Sequence, residues 1–493
     1  MKRYWMSLKS IAWVFIALLL LYASCTSEKR DDRPNILWII TEDMSCHFGY
    51  NGEEAVKTPN VDQLAADGMV FTNAYVTGPV CSPSRSALIT GMYQTTIGAH
   101  NHRSSSTPES AIHLPGHIKL IPHLFREAGY YVSNCKGIEW SKAGKTDYNF
   151  VFDTTNIYDG TDWSGRKEGQ PFFAQVQLWG GKLTEKQIGF EADTSKMKLP
   201  PYYPGNPVIV DDWKRYLGSV MQTDYQVGKV MERLEDESLL ENTLVFFISD
   251  HGISHIRDKQ YLYDGGTKIP FIIRAPGRIE KGRREELIAH IDMAATSLYF
   301  AGIEMPGYME GRSLYGPQAN EREYVISARD RCDETEDRIR SVRKGDFKYI
   351  RNFHPQRPYL QPNAYKDNKA IMKRMRALHV EGKLNEDQAL IMRDTRPGEE
   401  LYDLSRDPFE LHNLADDETC NETLLEMRSI LEEWIDETGD QGQYAEEWDH
   451  YTSNIEEANA AMLKRNTNPN SLRKEKERNR NAALMKQWRE EGK

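Results

Sequence analysis

Apolar residues fall along this chain in short unbroken runs bounded by turn formers. Ile36-Leu37-Trp38-Ile39-Ile40 follows Pro34-Asn35 and ends in Thr41-Glu42-Asp43. A run of that length predicts a strand buried on both faces. Leu244-Val245-Phe246-Phe247-Ile248 repeats the pattern and ends in Ser249-Asp250-His251-Gly252. Pro270-Phe271-Ile272-Ile273 and Pro171-Phe172-Phe173-Ala174 read as further strands. Helical spacing lies between them, from Asn60 to Gly68 behind Thr58-Pro59 and over the long amphipathic stretch Trp213 to Leu234. In open parallel sheets ligands bind beyond the carboxyl ends of the strands, so two buried strands that finish in acidic residues mark a site.

Beyond about residue 320 the texture changes. Tyr324-Val325-Ile326 and Phe347-Lys348-Tyr349-Ile350 read as strands of a smaller antiparallel region, and Ile371 to Asp394 and Asn421 to Gly439 as helices. From Asn454 onward the chain is highly charged and reads as a solvated terminal helix.

Composition narrows the function classes. The 493 residues carry 63 Lys and Arg against 74 Asp and Glu, a net charge of −11, which argues against a general nucleic-acid binder. Any anionic substrate must therefore meet local positive charge. The six cysteines, at 25, 46, 81, 135, 332 and 420, include no CxxC pair, which excludes a zinc ribbon and a disulfide scaffold. At the N-terminus Lys2-Arg3 precedes an apolar run, Ile11 to Leu21, that ends at Ala23-Ser24-Cys25. The run is shorter than the ~20 residues of a spanning helix and reads as a signal peptide of lipoprotein type, residues 1–24, with Cys25 lipidated. This predicts an exported protein on the periplasmic or cell-surface side, held to the membrane by its lipid anchor only.

The most specific motif is Pro79-Val80-Cys81-Ser82-Pro83-Ser84-Arg85-Ser86-Ala87-Leu88-Ile89-Thr90-Gly91. Its C-x-P-x-R core resembles the signature in which sulfatases oxidise a cysteine to formylglycine. The resemblance extends to the opening strand and acidic pair at Pro34 to Asp43, the turn Ser249-Asp250-His251-Gly252, and Lys259 with Gly265-Gly266 and Pro270. It continues at Leu401-Tyr402-Asp403-Leu404 with Asp407-Pro408 and Asn413-Leu414. The chain is identified as a member of the formylglycine-dependent sulfatases of the alkaline-phosphatase-like superfamily. That resemblance implies an α/β sandwich with a large, mostly parallel central sheet over residues 34–320. It also implies a C-terminal α+β subdomain with an antiparallel sheet over 321–453, ahead of the charged tail, 454–493.

A sulfate ester carries negative charge on its non-bridging oxygens, so cleavage needs a metal ion and fixed cations. The resemblance makes Glu42, Asp43, Cys81, Asp250 and His251 the metal ligands, for Ca2+ with Mg2+ as the alternative. It makes Cys81 the formylglycine whose hydrate attacks sulfur and forms a sulfo-enzyme, after maturation by a formylglycine-generating or anaerobic sulfatase-maturing enzyme. Arg85 becomes a fixed cation near the hydrate, and Lys259 a ligand of a sulfate oxygen. The family's Gly-Lys-x-His element is met best by Lys145 with Asp147 in place of His, with Lys136 as rival. The histidine that normally follows the Pro171 strand is missing, which leaves Lys182 or Gln177 to line the site and makes His255 a candidate proton donor. His100, His102 and Arg103 are candidates for binding an anionic sugar. Trp179 and Tyr261 are candidates for stacking on one. The expected activity is hydrolysis of sulfate esters of a sulfated glycan. The alternatives are sulfamate hydrolysis, phosphodiester or phosphonate hydrolysis, and glycan binding without turnover.

Overall fold

The computed structural model describes residues 33–317 and 319–493. The expected signal peptide and Cys25 lie outside them. Among the described residues, no helix is long and apolar enough to cross a membrane.

Twelve strands among the described residues form two sheets. The larger has eight, in the order β4-β3-β5-β1-β6-β7-β2-β8. At its centre β1 (Asn35–Thr41) lies parallel to both β5 (Phe172–Leu178) and β6 (Thr243–Ser249), with every residue of the three strands buried. The unbroken apolar runs follow from that burial, since neither face of these strands meets water. The sheet is mostly parallel. The exceptions are the pairings of β3 (Tyr131–Lys136) with the edge hairpin strand β4 (Glu139–Ala143), and of β7 (Phe271–Arg274) with β6 and with β2 (Met69–Tyr75). The far edge is β8 (Gly282–Ala289), parallel to β2.

Alternation along β1 divides the core into two layers. Leu37 and Ile39 pack with α1 (Pro59–Ala66), the long α4 (Pro207–Asp236) and α6 (Ala370–Val380). Ile36, Trp38 and Ile40 pack with α2 (Cys81–Thr90), α3 (Ile121–Glu127) and α5 (Asp292–Ala301). Because α6 belongs to the C-terminal part of the chain, the helical layer crosses the sequence boundary near 320. The four-stranded antiparallel sheet runs β12-β11-β10-β9, with β9 Tyr324–Arg329, β10 Ile339–Lys344, β11 Phe347–Asn352 and β12 Glu399–Asp403. It packs on α7 (Asn421–Thr438) and joins the larger sheet where Ala328 N–H donates to Thr77 O at 2.8 Å.

Two expectations change. The helical stretch expected over 371–394 breaks at Gly382, which takes φ +67 after α6. The tail is docked rather than solvated. It forms two helices, α8 (Trp448–Arg465) and α9 (Pro469–Glu490), that bury Tyr451, Ile455, Met485 and Trp488. Arg489 pairs with Glu336, and Arg357 donates to the carbonyl of Lys493. A narrow aromatic stripe inside a charged exterior is enough to hold such a hairpin.

Candidate functional site

The carboxyl ends of β1, β5 and β6 come level, Thr41 opposite both Leu178 and Ser249, and the acidic residues after β1 and β6 meet there. Asp43 is held in the left-handed region, φ +52, and its amide donates to Asp250 Oδ1 at 3.1 Å. Helix α2 delivers the cysteine motif to the same place. All ten of its residues are buried, which explains its small hydroxyl side chains. Ser86 and Thr90 return their hydroxyls to the carbonyls of Ser82 and Ser86, and Ser84 donates to Asp250 O at 2.5 Å. Cys81 thus opens a buried helix whose amino end favours negative charge.

Three nitrogens close on the Cys81 sulfur: Lys259 Nζ at 3.1 Å, His251 Nε2 at 3.2 Å and Lys182 Nζ at 3.4 Å. Arg85, one turn along, spreads its guanidinium over Asp250 Oδ2 at 3.1 Å, Gln177 Oε1 at 2.6 Å and Glu42 Oε1 at 3.1 Å. Glu42 also meets Lys145 at 2.7 Å and Lys182 at 2.5 Å. Asp43 Oδ1 lies 3.0 Å from Lys259 and 3.3 Å from His251 Nε2. The result is a buried pole in which cations, carboxylates and one thiol share a single network.

Electrostatics follow from that packing. Burial pushes the Cys81 thiol up, but Lys145, Lys182, Lys259 and His251 outweigh it and bring the group well below its ordinary range. Burial likewise opposes ionisation of Glu42 and Asp43, yet Arg85, Lys145 and Lys182 hold the first low, and Lys182 and Lys259 hold the second lower still. Burial works against a charged His251, and Asp250 prevails to raise it.

Lys182 reaches the pole because two glycines precede it. A Cβ on Gly180 would sit 2.1 Å from Glu42 O, and one on Gly181 would sit 2.3 Å from Asp43 O. Gly180 also takes φ +52, and Gly181 N–H donates to Glu42 O at 2.8 Å. The segment that lacks the family's histidine therefore brings a lysine ammonium to the sulfur instead.

The remaining candidates separate. Lys145 joins the pole and also meets Asp147 at 3.2 Å. Arg103 stands at its rim, paired with Asp147 at 3.0 Å, while its amide donates to Ser82 Oγ at 3.0 Å. His102 Nδ1 lies 3.1 Å from Asp333 Oδ1. His100 is not in this cluster. It lines a different cleft of about 470 Å³ with Asp330, Arg331 and Glu446, and burial next to Arg340 takes it down to about 4. His255 is also withdrawn from the sulfur. Its Nε2 pairs with Asp212 at 2.6 Å, and its ring is enclosed by Tyr203, Trp213 and Tyr216, because this aromatic packing favours a buried imidazole held by a carboxylate. Tyr261 is core, its hydroxyl on Tyr359 O, whereas Trp179 is 42% exposed under Lys136.

Sequence reading missed the contribution of residues 333–369. Tyr365 OH reaches Asp43 Oδ2 at 3.5 Å and accepts from Ser254 Oγ at 3.1 Å. Lys366, drawn down to about 7 by burial, donates to the carbonyls of His255 and Lys259 and so fixes the segment that carries Lys259. No periodicity marks these loop residues.

Comparison with known proteins agrees with the geometry. The sulfatase family model matches residues 34–303. An ulvan-active sulfatase of Formosa agariphila is 35% identical over 474 residues, covering 85% of this chain and 78% of that protein. A second ulvan-active sulfatase of the same organism is 29% identical over 84% of this chain and 82% of its own length. The solved structure of a 2-O GAG sulfatase superposes with a TM-score of 0.62 at 21% identity, covering 84% of this chain and 94% of that one, and so shares the fold. On the family match and the extent of the first relative, this chain belongs to the sulfatase family and is a sulfuric ester hydrolase.

Proposed function

We propose that the protein hydrolyses O-sulfate esters of a sulfated glycan at the pole around Cys81. The observation that carries the reading is the grip of Lys259, His251 and Lys182 on one sulfur, beside Arg85 bound to two carboxylates and a glutamine. The Cys81 sulfur stands where the oxygens of a formylglycine hydrate would stand, and once formed that group supplies the nucleophilic hydroxyl. Lys259, Lys182 and Arg85 neutralise the non-bridging oxygens of the sulfuryl group. Lys145, bound to Glu42, holds the rim beside Arg103.

The residues fit a divalent cation. Asp43, Cys81 and His251 each offer a donor atom within 4.8 Å of one another, and Glu42 and Asp250 stand beside them. Carboxylates with one imidazole suit a hard ion, and we assign Ca2+ with Mg2+ as the alternative. When bound, the ion supplies positive charge for the sulfate oxygens and the nucleophile. A maturation enzyme acting on Cys81, export by the N-terminal signal and a lipid anchor at Cys25 complete the proposal. The glycan substrate is supported by the two relatives being ulvan-active sulfatases.

The test is free sulfate released from a panel of sulfated oligosaccharides by protein matured in the producing cells, alongside aryl sulfate and aryl phosphodiester. Sulfate release from a glycan supports the reading. Turnover of the phosphodiester alone, with the aldehyde present at residue 81 by peptide mass, would replace it.

A further inference from the structure

We infer that His102, positioned by Asp333, donates the proton that the departing sugar oxygen needs. The inference rests on the sulfate-ester reading above. An alkyl alkoxide is a poor leaving group without a proton donor, and the chain lacks the histidine that resemblance would supply. Lys182, Lys259 and Arg85 are committed to carboxylates that hold their protons on, and Lys145 is paired with both Glu42 and Asp147. His251 lies on the Cys81 sulfur itself, His255 is enclosed by aromatic rings, and His100 lines another cleft.

His102 has the form of a donor. It is 6% exposed, its Nδ1 is held by the Asp333 carboxylate at 3.1 Å, and its Nε2 has no hydrogen-bond partner among the described residues. Nδ1 faces the Asp333 amide as well, at 3.3 Å, so backbone and carboxylate together fix the ring orientation. Burial holds the imidazole below its ordinary range and the Asp333 carboxylate opposes that, which makes the imidazolium an acid ready to release its Nε2 proton. Asp333 is itself fixed, at φ +51 inside a turn closed by the Cys332 amide on Thr335 O at 2.9 Å. The pair is tied to the pole from two sides. The amide next to His102, that of Arg103, donates to Ser82 Oγ beside Cys81. Cys332, next to Asp333, accepts from Gln260 Nε2 at 3.0 Å, and Gln260 adjoins Lys259. Asp333, Arg103 and Asp147 are the charged groups that face His102, and Arg478 of α9 faces Asp333.

In the step proposed, the nucleophilic oxygen at residue 81 forms its bond to sulfur as the bond from sulfur to the sugar oxygen breaks. The electron pair of the broken bond stays on the sugar oxygen, which takes the proton from His102 Nε2. The imidazole is left neutral against Asp333.

The experiment compares His102→Gln, His102→Ala and Asp333→Asn with the parent on aryl sulfates running from nitrophenyl to methoxyphenyl and on a sugar sulfate that the parent cleaves. Loss of a general acid costs about 10²–10⁴ in rate on the poor leaving group, and the nitrophenyl ester should be nearly spared. The alkaline limb of the pH profile, which falls as the donor deprotonates, should vanish in His102→Gln and shift in Asp333→Asn. A second readout uses the unmatured protein, in which NMR titration of the His102 ring should shift to lower pH on Asp333→Asn. Equal losses on every ester, or none, would overturn the inference. Undiminished turnover by Cys81→Ala would instead break the nucleophile assignment, so the two readings fail separately.

Discussion

Two buried charge clusters in this molecule look alike on first inspection and differ in a telling way. At the junction of β9, β10 and the loop after α7, Arg340 is fully buried between Asp330 at 3.0 Å and Asp440 at 2.8 Å and 2.9 Å. All three guanidinium nitrogens of Arg340 face carboxylates of the chain, and the two aspartates tie β10 to the end of β9 and to the turn after α7. At the pole around Cys81, four cations, Arg85, Lys145, Lys182 and Lys259, crowd three carboxylates, Glu42, Asp43 and Asp250, and two of the ammonium groups turn to a thiol. A matched cluster is architecture. A cluster whose cations converge on a nucleophilic position has charge left over for a substrate anion.

That contrast can be broken by exchange of single residues. Arg85→Lys removes the planar fork over Asp250, Gln177 and Glu42, and kcat/KM for sulfate release should fall by about 10²–10³ with Tm little changed. Arg340→Met leaves Asp330 and Asp440 unpaired in the interior, and chemical denaturation should show a loss of about 3–5 kcal/mol with kcat of the folded fraction retained. Lys182→Ala should reduce kcat/KM by about 10–10², and Gly181→Ala should reproduce part of the loss because its Cβ forces the segment off the Asp43 backbone. The smallest effect is pH dependence at His100. Its imidazole titrates at about 4 in the fold against 6.5 when unfolded, so the unfolded chain binds the proton first as pH falls through that window. The parent should lose stability between those values, and His100→Asn should lose less, as Tm measured against pH would show.

The two clusters also differ in how far the sequence announces them. The acidic ends of β1 and β6 follow unbroken apolar runs, so strand, direction and site could be read from 36–43 and 244–252 alone. The cysteine motif was legible through the resemblance of its C-x-P-x-R core, Cys81 to Arg85, to the sulfatase signature, while the reason for its hydroxyl residues, a helix with no exposed face, was not. Strand β8 was not legible, because Gly282–Ala289 is an edge strand whose outer half is charged and exposed. Asp333, Tyr365 and Lys366 carry no local signal; they reach the pole only because the second sheet and α6 dock against the first layer. His100 and His102 are two residues apart and read alike in sequence, yet the turn between them sends one to the Arg340 cluster and the other to Asp333. Tertiary docking, which local pattern does not encode, decides which polar residues share a site.

The measurement that bears most directly on the central claim is sulfate release by Cys81→Ala, matured and purified beside the parent, with Tm recorded on both. The account predicts that release disappears while Tm is retained, because the three nitrogens then surround a methyl group with nothing to attack sulfur. Sulfate release at the parent's rate from a folded Cys81→Ala protein would contradict it.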